Sequence, residues 1–147
     1  IMILVLLTES VTDIEKMEII DSIWVIGIIP IIIIRIIQNS LSQYLVSSLV
    51  IFLVLFLIML VGKQIAKKEV LGGGDVKLYV FIGMVLSIPL SFLSLFSASL
   101  FGIIYALIKK KKANQYLPLV PFIFMGVLVS YFYGQLLIDW YLNLLVM

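Results

Sequence analysis

The 147-residue chain contains no cysteine and no histidine. Without cysteine, disulfides, iron–sulfur clusters and thiolate zinc sites are excluded. Without histidine, the commonest transition-metal ligand and the commonest general base are both missing. Any acid–base chemistry falls to Asp, Glu, Lys or Tyr, and neither a metal nor a cofactor is expected. Charge is scarce as well: 12% of residues are Asp, Glu, Lys or Arg, against 64% hydrophobic. A soluble domain of this size leaves much of its surface in water and could not hide that much apolar side chain. The composition therefore predicts an all-α integral membrane protein, a single transmembrane domain over 1–147.

A helical span needs ~20 apolar residues. Residues 1–7, IMILVLL, are too short for one and are not followed by a small-residue cleavage site. They read as the last two turns of a helix whose beginning lies before residue 1. A polar segment, TESVTDIEKME, follows over 8–18 and reads as a loop. Apolar runs then cover about 19–37 and 44–61, separated by QNSLSQ at 38–43. The next loop, GKQIAKKEVLGGGD, occupies 62–75. From Val76 to Ile108 the only charge is Lys77, and Ser87-Ile88-Pro89-Leu90-Ser91 divides that run into a short helix and a longer one. After KKKKANQYLP at 109–118, a last span runs over about 119–137, and the tail either extends it or lies in the interface, with Trp140 and Tyr141 at headgroup depth. Long runs without alternation favour helices over a barrel, so the expectation is a polytopic bundle of about six transmembrane helices, the first one partial. Pro30 reads as a kink and Pro89 as a turn.

Threading the chain alternately puts 8–18, 62–75 and 109–118 on one side. That side carries Lys16, Lys63, Lys67, Lys68, Lys77 and Lys109 to Lys112, nine of the ten basic residues, with Arg35 alone near the other. The positive-inside rule makes the lysine-rich side cytoplasmic. Lys109 to Lys112 read as topology signals and anionic-lipid contacts, and no nucleic-acid partner is expected. Arg35 reads as a snorkelling side chain; Lys77 either snorkels or lowers the pKa of a nearby carboxylate or hydrogen-bonds substrate. Glu9, Asp13, Glu15, Glu18, Asp21, Glu69 and Asp75 lie on the lysine-rich side, and only Asp139 lies opposite.

Asp13 and Asp75 each sit where a loop of that side meets a helix. Two carboxylates about 3 Å apart share one proton, giving an acid and a base that can activate water against a peptide carbonyl. Asp13 can equally be read as a helix cap or a solvated loop acid. Asp75 follows Gly72, Gly73 and Gly74, whose freedom to take φ > 0 or to admit another chain a simple cap does not need. A phosphate cradle is the other use of such a turn, but the Walker lysine–hydroxyl pattern and its preceding strand are absent.

GGGDVKL, with Gly83 beyond it, resembles the GxGD motif of the type IV prepilin peptidases, which are membrane aspartic peptidases. That family has an earlier D-L-R-x-x-x-I-P-N pattern. Here the stretch reads D-I-E-K-M-E-I-I-D from Asp13, with Ile20 at the proline and Asp21 at the asparagine. A P-F-x-P-F-like entry to the last helix reads LPLVPFIFMG, where Pro118, Pro121, Phe122 and Gly126 fit. The resemblance implies that Asp13 and Asp75 are the catalytic pair. It makes Gly72, Gly73, Gly74, Lys77, Pro118 and Pro121 motif or substrate-binding positions. It also implies cleavage of prepilin-like precursors at the cytoplasmic face, after a glycine and before a hydrophobic stretch. Glu9, Glu15, Glu18 and Glu69 then either meet a basic leader or form a solvated acidic rim. Many members also methylate the new N-terminus with S-adenosylmethionine, using a loop with paired cysteines; no residue here is assigned to that step.

Three other readings stand beside this one. Presenilin and signal-peptide-peptidase relatives share the GxGD logic, but have a tyrosine where Thr12 precedes Asp13 and a P-A-L motif where this chain has P-L-V-P. A transporter or assembly subunit more often carries its acids in mid-span. An inactive relative that binds pilins within an assembly system would lose part of the motif, as at Ile20.

Overall fold

A computed structural model describes residues 1–67, 71–109 and 117–146. Lys68, Glu69 and Lys110 to Lys112, singled out above, lie outside the described residues. Six helices follow one another: α1 (Met2–Lys16), α2 (Asp21–Ile37), α3 (Leu41–Ala66), α4 (Gly73–Val85), α5 (Ile88–Ile108) and α6 (Val120–Val146). No strand occurs among the described residues. Segments Leu41–Ile65, Ile88–Ile108 and Val120–Leu144 are long and apolar enough to cross a membrane. This is an all-α membrane protein.

Helix boundaries depart from the hydropathy pattern in two places, at 8–16 and after 61, and the tail extends the last helix, one of its two expected forms. The polar stretch expected as a loop from residue 8 is helical as far as Lys16. Its hydroxyls are satisfied inside the helix: Thr8 Oγ1 donates to Leu4 O (2.8 Å), Ser10 Oγ to Leu6 O (2.6 Å) and Thr12 Oγ1 to Glu9 O (2.9 Å). The third helix runs past 61 to Ala66, and the last past 137 to Val146, carrying Trp140 and Tyr141 on an exposed face. The expected turn is present: Ser87 is extended, Pro89 sits in the first turn of α5, and Pro30 lies inside α2.

Helix α4 is the centre of the bundle. It packs against α3, α2 and α5, while α5 runs along α6 and α1 packs on α6 and α2. Leu78, Tyr79, Phe81, Ile82 and Met84 of α4 are all buried. At 13 residues α4 is about 20 Å long and cannot cross a core of about 30 Å. Its C-terminal carbonyls therefore end inside the protein and need donors. Arg35 supplies two, from Nε to Met84 O (3.3 Å) and from Nη2 to Val85 O (2.7 Å), with its guanidinium 3.4 Å above the Tyr44 ring. Ser47 Oγ supplies a third, to Leu86 O (2.9 Å). Arg35 is therefore a helix cap and not the free snorkelling cation that its position in the sequence suggests.

Candidate active site

Asp75 stands at the third position of α4, with Gly72 at the N-cap. Its carboxylate accepts the Gly72 N–H, so an acid reaches back over the first turn as in one half of a capping box. The glycines are needed for space and not for unusual dihedrals, because no described glycine has positive φ. A Cβ on Gly72 would stand 2.8 Å from Asp75 Oδ2, and one on Gly74 would stand 3.0 Å from Ile19 Cδ1. Gly73 faces open space. The expectation of left-handed turns is corrected accordingly; the expectation of close approach holds at Gly72 and Gly74.

Asp13 lies in the last turn of α1, not in a loop, and is buried. Its Oδ2 accepts the Val120 N–H at 2.9 Å, and the Leu119 N–H also donates to the carboxylate. Asp13 thus caps α6, a helix more than a hundred residues away in sequence, and fixes the LPLVP entry to α1. The first four N–H groups of a helix lack partners within it and favour a negative charge there.

The two aspartates line one cavity of about 380 Å³, together with Met17, Glu18, Ile19, Asp21, Gly72, Gly73, Gly74 and Lys77. The end of α1, the Gly72–Asp75 turn and the Leu119–Val120 entry to α6 thus converge at one end of the bundle. Lys77 Nζ pairs with Asp21 Oδ2 at 2.8 Å across the mouth, both side chains about half exposed. Lys77 is therefore held by a partner and does not snorkel freely. The pair keeps Asp21 below the usual carboxylate range, through the lysine hydrogen bond and one from Trp24. Pro118 and Pro121 are half-buried and do not line the cavity, although Val120 between them is fully buried on Asp13. Glu15 and Glu18 are exposed. Glu9 is fully buried, contrary to its reading as a rim or leader-facing acid.

The carboxyls lie outside the three long spans, and their ionisation differs. Burial pushes Asp75 up to about 7; the nearby Asp13 carboxylate pushes the same way, and the Gly72 N–H pulls down. Burial raises Asp13 too, opposed by the Val120 and Leu119 N–H groups. Of the two, Asp75 is the carboxyl pushed further toward the protonated form. No group of three or more acids placed to hold a metal occurs among the described residues.

The profile of the type IV leader peptidase family matches residues 1–107 of this sequence. The chain belongs to the type IV leader peptidase family. The match takes in both aspartates, the glycine triplet and Lys77, and ends before the Pro118–Pro121 segment. One curated relative, the prepilin leader peptidase/N-methyltransferase of Bacillus subtilis (strain 168), is 33% identical over 78 residues. That alignment covers 50% of this chain and 32% of the relative, so the chain spans about a third of the length of that leader peptidase. No solved structure matches the chain. Sequence reasoning missed the donors at Leu119 and Val120, since backbone N–H groups leave no mark in side-chain patterns.

Proposed function

We propose that the chain is a membrane aspartic endopeptidase that removes the leader peptide from prepilin-like precursors at the cytoplasmic face, with Asp13 and Asp75 as its catalytic pair. The observation that carries this reading is the shared cavity: two buried carboxylates from different helices, with Asp13 raising the proton affinity of Asp75. Family membership supplies the reaction class. Asp13, with two backbone N–H groups on its carboxylate, is the better anion and acts as general base. It takes a proton from water as the oxygen attacks the scissile carbonyl. Asp75 is the acid: it gives its proton to the amide nitrogen as the C–N bond breaks. As the product leaves, the proton taken by Asp13 passes to Asp75 and restores the starting state. Lys77, Gly72, Gly73 and Gly74 border the peptide's path, and Pro118 and Pro121 hold the α6 entry that Asp13 caps. The whole of 1–147 serves as one peptidase domain. No methyl transfer is assigned to it.

The test is cleavage of a reporter precursor with a lysine-glycine-phenylalanine junction, in liposomes or detergent. The native chain is expected to cut, and folded Asp13→Asn and Asp75→Asn to fall by about a thousandfold or more, as expected when an acid–base group is lost. Failure of a well-folded native chain on several precursors would instead favour a pilin-binding or assembly role. Cutting that survives Asp13→Asn would move the partner acid elsewhere.

A further inference from the structure

Glu9 lies one helical turn before Asp13 and has no exposed surface. Its Oε2 accepts the backbone N–H of Ile20 at 3.0 Å. Its Oε1 is buried and has no partner. A carboxylate left ionised in such a place is costly. Burial moves Glu9 upward, and the charges of Asp21 and Asp13 add to this against the Ile20 and Thr12 hydrogen bonds.

What Glu9 holds is a wall of the aspartate cavity. Helix α1 closes at Met17, in the left-handed region at φ 54°, whose N–H donates to Asp13 O at 3.0 Å. Glu18 and Ile19 follow, and Ile20 caps α2 in extended geometry, φ −87° and ψ 101°. Met17, Glu18 and Ile19 line the cavity, and Ile19 lies against Gly74, next to Asp75. The next residue, Asp21, pairs with Lys77. The connection is thus bound to α1 at its start through Asp13 O and at its end through Glu9.

We propose that Glu9 is a positioning residue of the aspartate cavity, fixing the Met17–Ile20 wall against Gly74 and Asp75 through the Ile20 N–H. The activity readout rests on the peptidase reading above; the structural readout does not. The φ of Ile20, −87°, lies about 20° from the value proline imposes, a small backbone adjustment, and proline has no N–H. It is also the residue at that place in the motif this stretch resembles. A proline at position 20 therefore removes the donor that Glu9 serves and keeps the backbone in the same extended region. Losing both partners of a buried hydrogen bond costs far less than orphaning one.

The experiment compares native chain, Glu9→Leu, Glu9→Gln, Ile20→Pro and the double variant Glu9→Leu/Ile20→Pro in detergent. Amide exchange over 17–20 and cleavage of the reporter precursor are both read. Glu9→Leu is expected to speed exchange at the Ile20 amide and slow cleavage, each by about tenfold, within the range for one orphaned buried donor. Glu9→Gln, which keeps an acceptor, is expected to keep the protection. The double variant is expected to cut about as fast as Ile20→Pro alone. Native-like exchange in folded Glu9→Leu overturns the proposal, and so does a double variant as impaired as Glu9→Leu. Should Glu9→Leu not fold, lost protection in Glu9→Gln overturns it. A native chain that cuts no precursor defeats the peptidase reading only, and the exchange arm still decides this one.

Discussion

The two aspartates differ in what surrounds each carboxylate, and that difference makes a pH signature. Asp75 titrates near 7 in the folded protein against 3.8 for an ordinary aspartate. Its raised value means that the folded state binds the proton more tightly than the unfolded one. The linked stability is full below the unfolded value and is lost as pH rises toward about 7. At about 1.4 kcal/mol per pH unit, the upper bound for this one group is roughly 4 kcal/mol. The melting temperature in detergent should therefore fall between about pH 4 and pH 8, with Asp75→Asn flattening most of the fall. Asp13 and Glu9 have the same sign and leave a residual slope; Asp21, held low by Lys77, opposes it. Parallel curves for native and Asp75→Asn would show that Asp75 holds no extra proton. Cleavage should decline over the same rise, as the acid member of the pair is lost.

Among the elements, α4 is where packing and caps meet. A helix too short to span the core ends among apolar side chains, and Arg35 is what keeps its last carbonyls satisfied. Arg35→Leu orphans Met84 O and Val85 O, and a loss of about 1–3 kcal/mol is expected in detergent denaturation. Gly83 sets the approach of α3: a Cβ there would stand 2.5 Å from Ser48 Cα and 2.8 Å from Ser48 N. Backbone cannot yield as a side-chain tip can, so Gly83→Ala should cost about 1–3 kcal/mol. Gly73→Ala, which meets open space, is the control that should unfold like the native chain. Much of this was legible in sequence. Pro89 after Ser87 marked the α4–α5 division, and the apolar runs placed the long spans. The helical continuation over 8–16 was not legible, because polarity there signals a loop until Thr8, Ser10 and Thr12 are seen bonding back to their own helix. Asp75 could be picked out by its glycines. Burial of Glu9 left one clue, its four-residue spacing from Asp13, which puts both acids on one helix face. The capping role of Arg35 left none, since the carbonyls it serves are main-chain oxygens about fifty residues away.

At the scale of the whole molecule, convergence of three loop-side segments at one end says more than any single motif. Asp13 meets Val120 directly and shares its cavity with Asp75, so the end of α1, the start of α4 and the start of α6 lie together at one end of the bundle, in keeping with the lysine distribution. Asn39, between α2 and α3, belongs to the opposite side. The absence of native cysteine makes this directly measurable, since any introduced thiol is the only one in the chain. Lys16→Cys and Lys109→Cys should resist an impermeant maleimide in intact cells and react in inverted vesicles; Asn39→Cys should do the reverse. Both lysine positions lie at helix ends, where one thiol disturbs little packing. Labelling of Lys109→Cys from outside would place the aspartate cavity on the outer face. A leader peptide held on the cytoplasmic side of the membrane could not then reach it, so the orientation and the substrate reading would fall together.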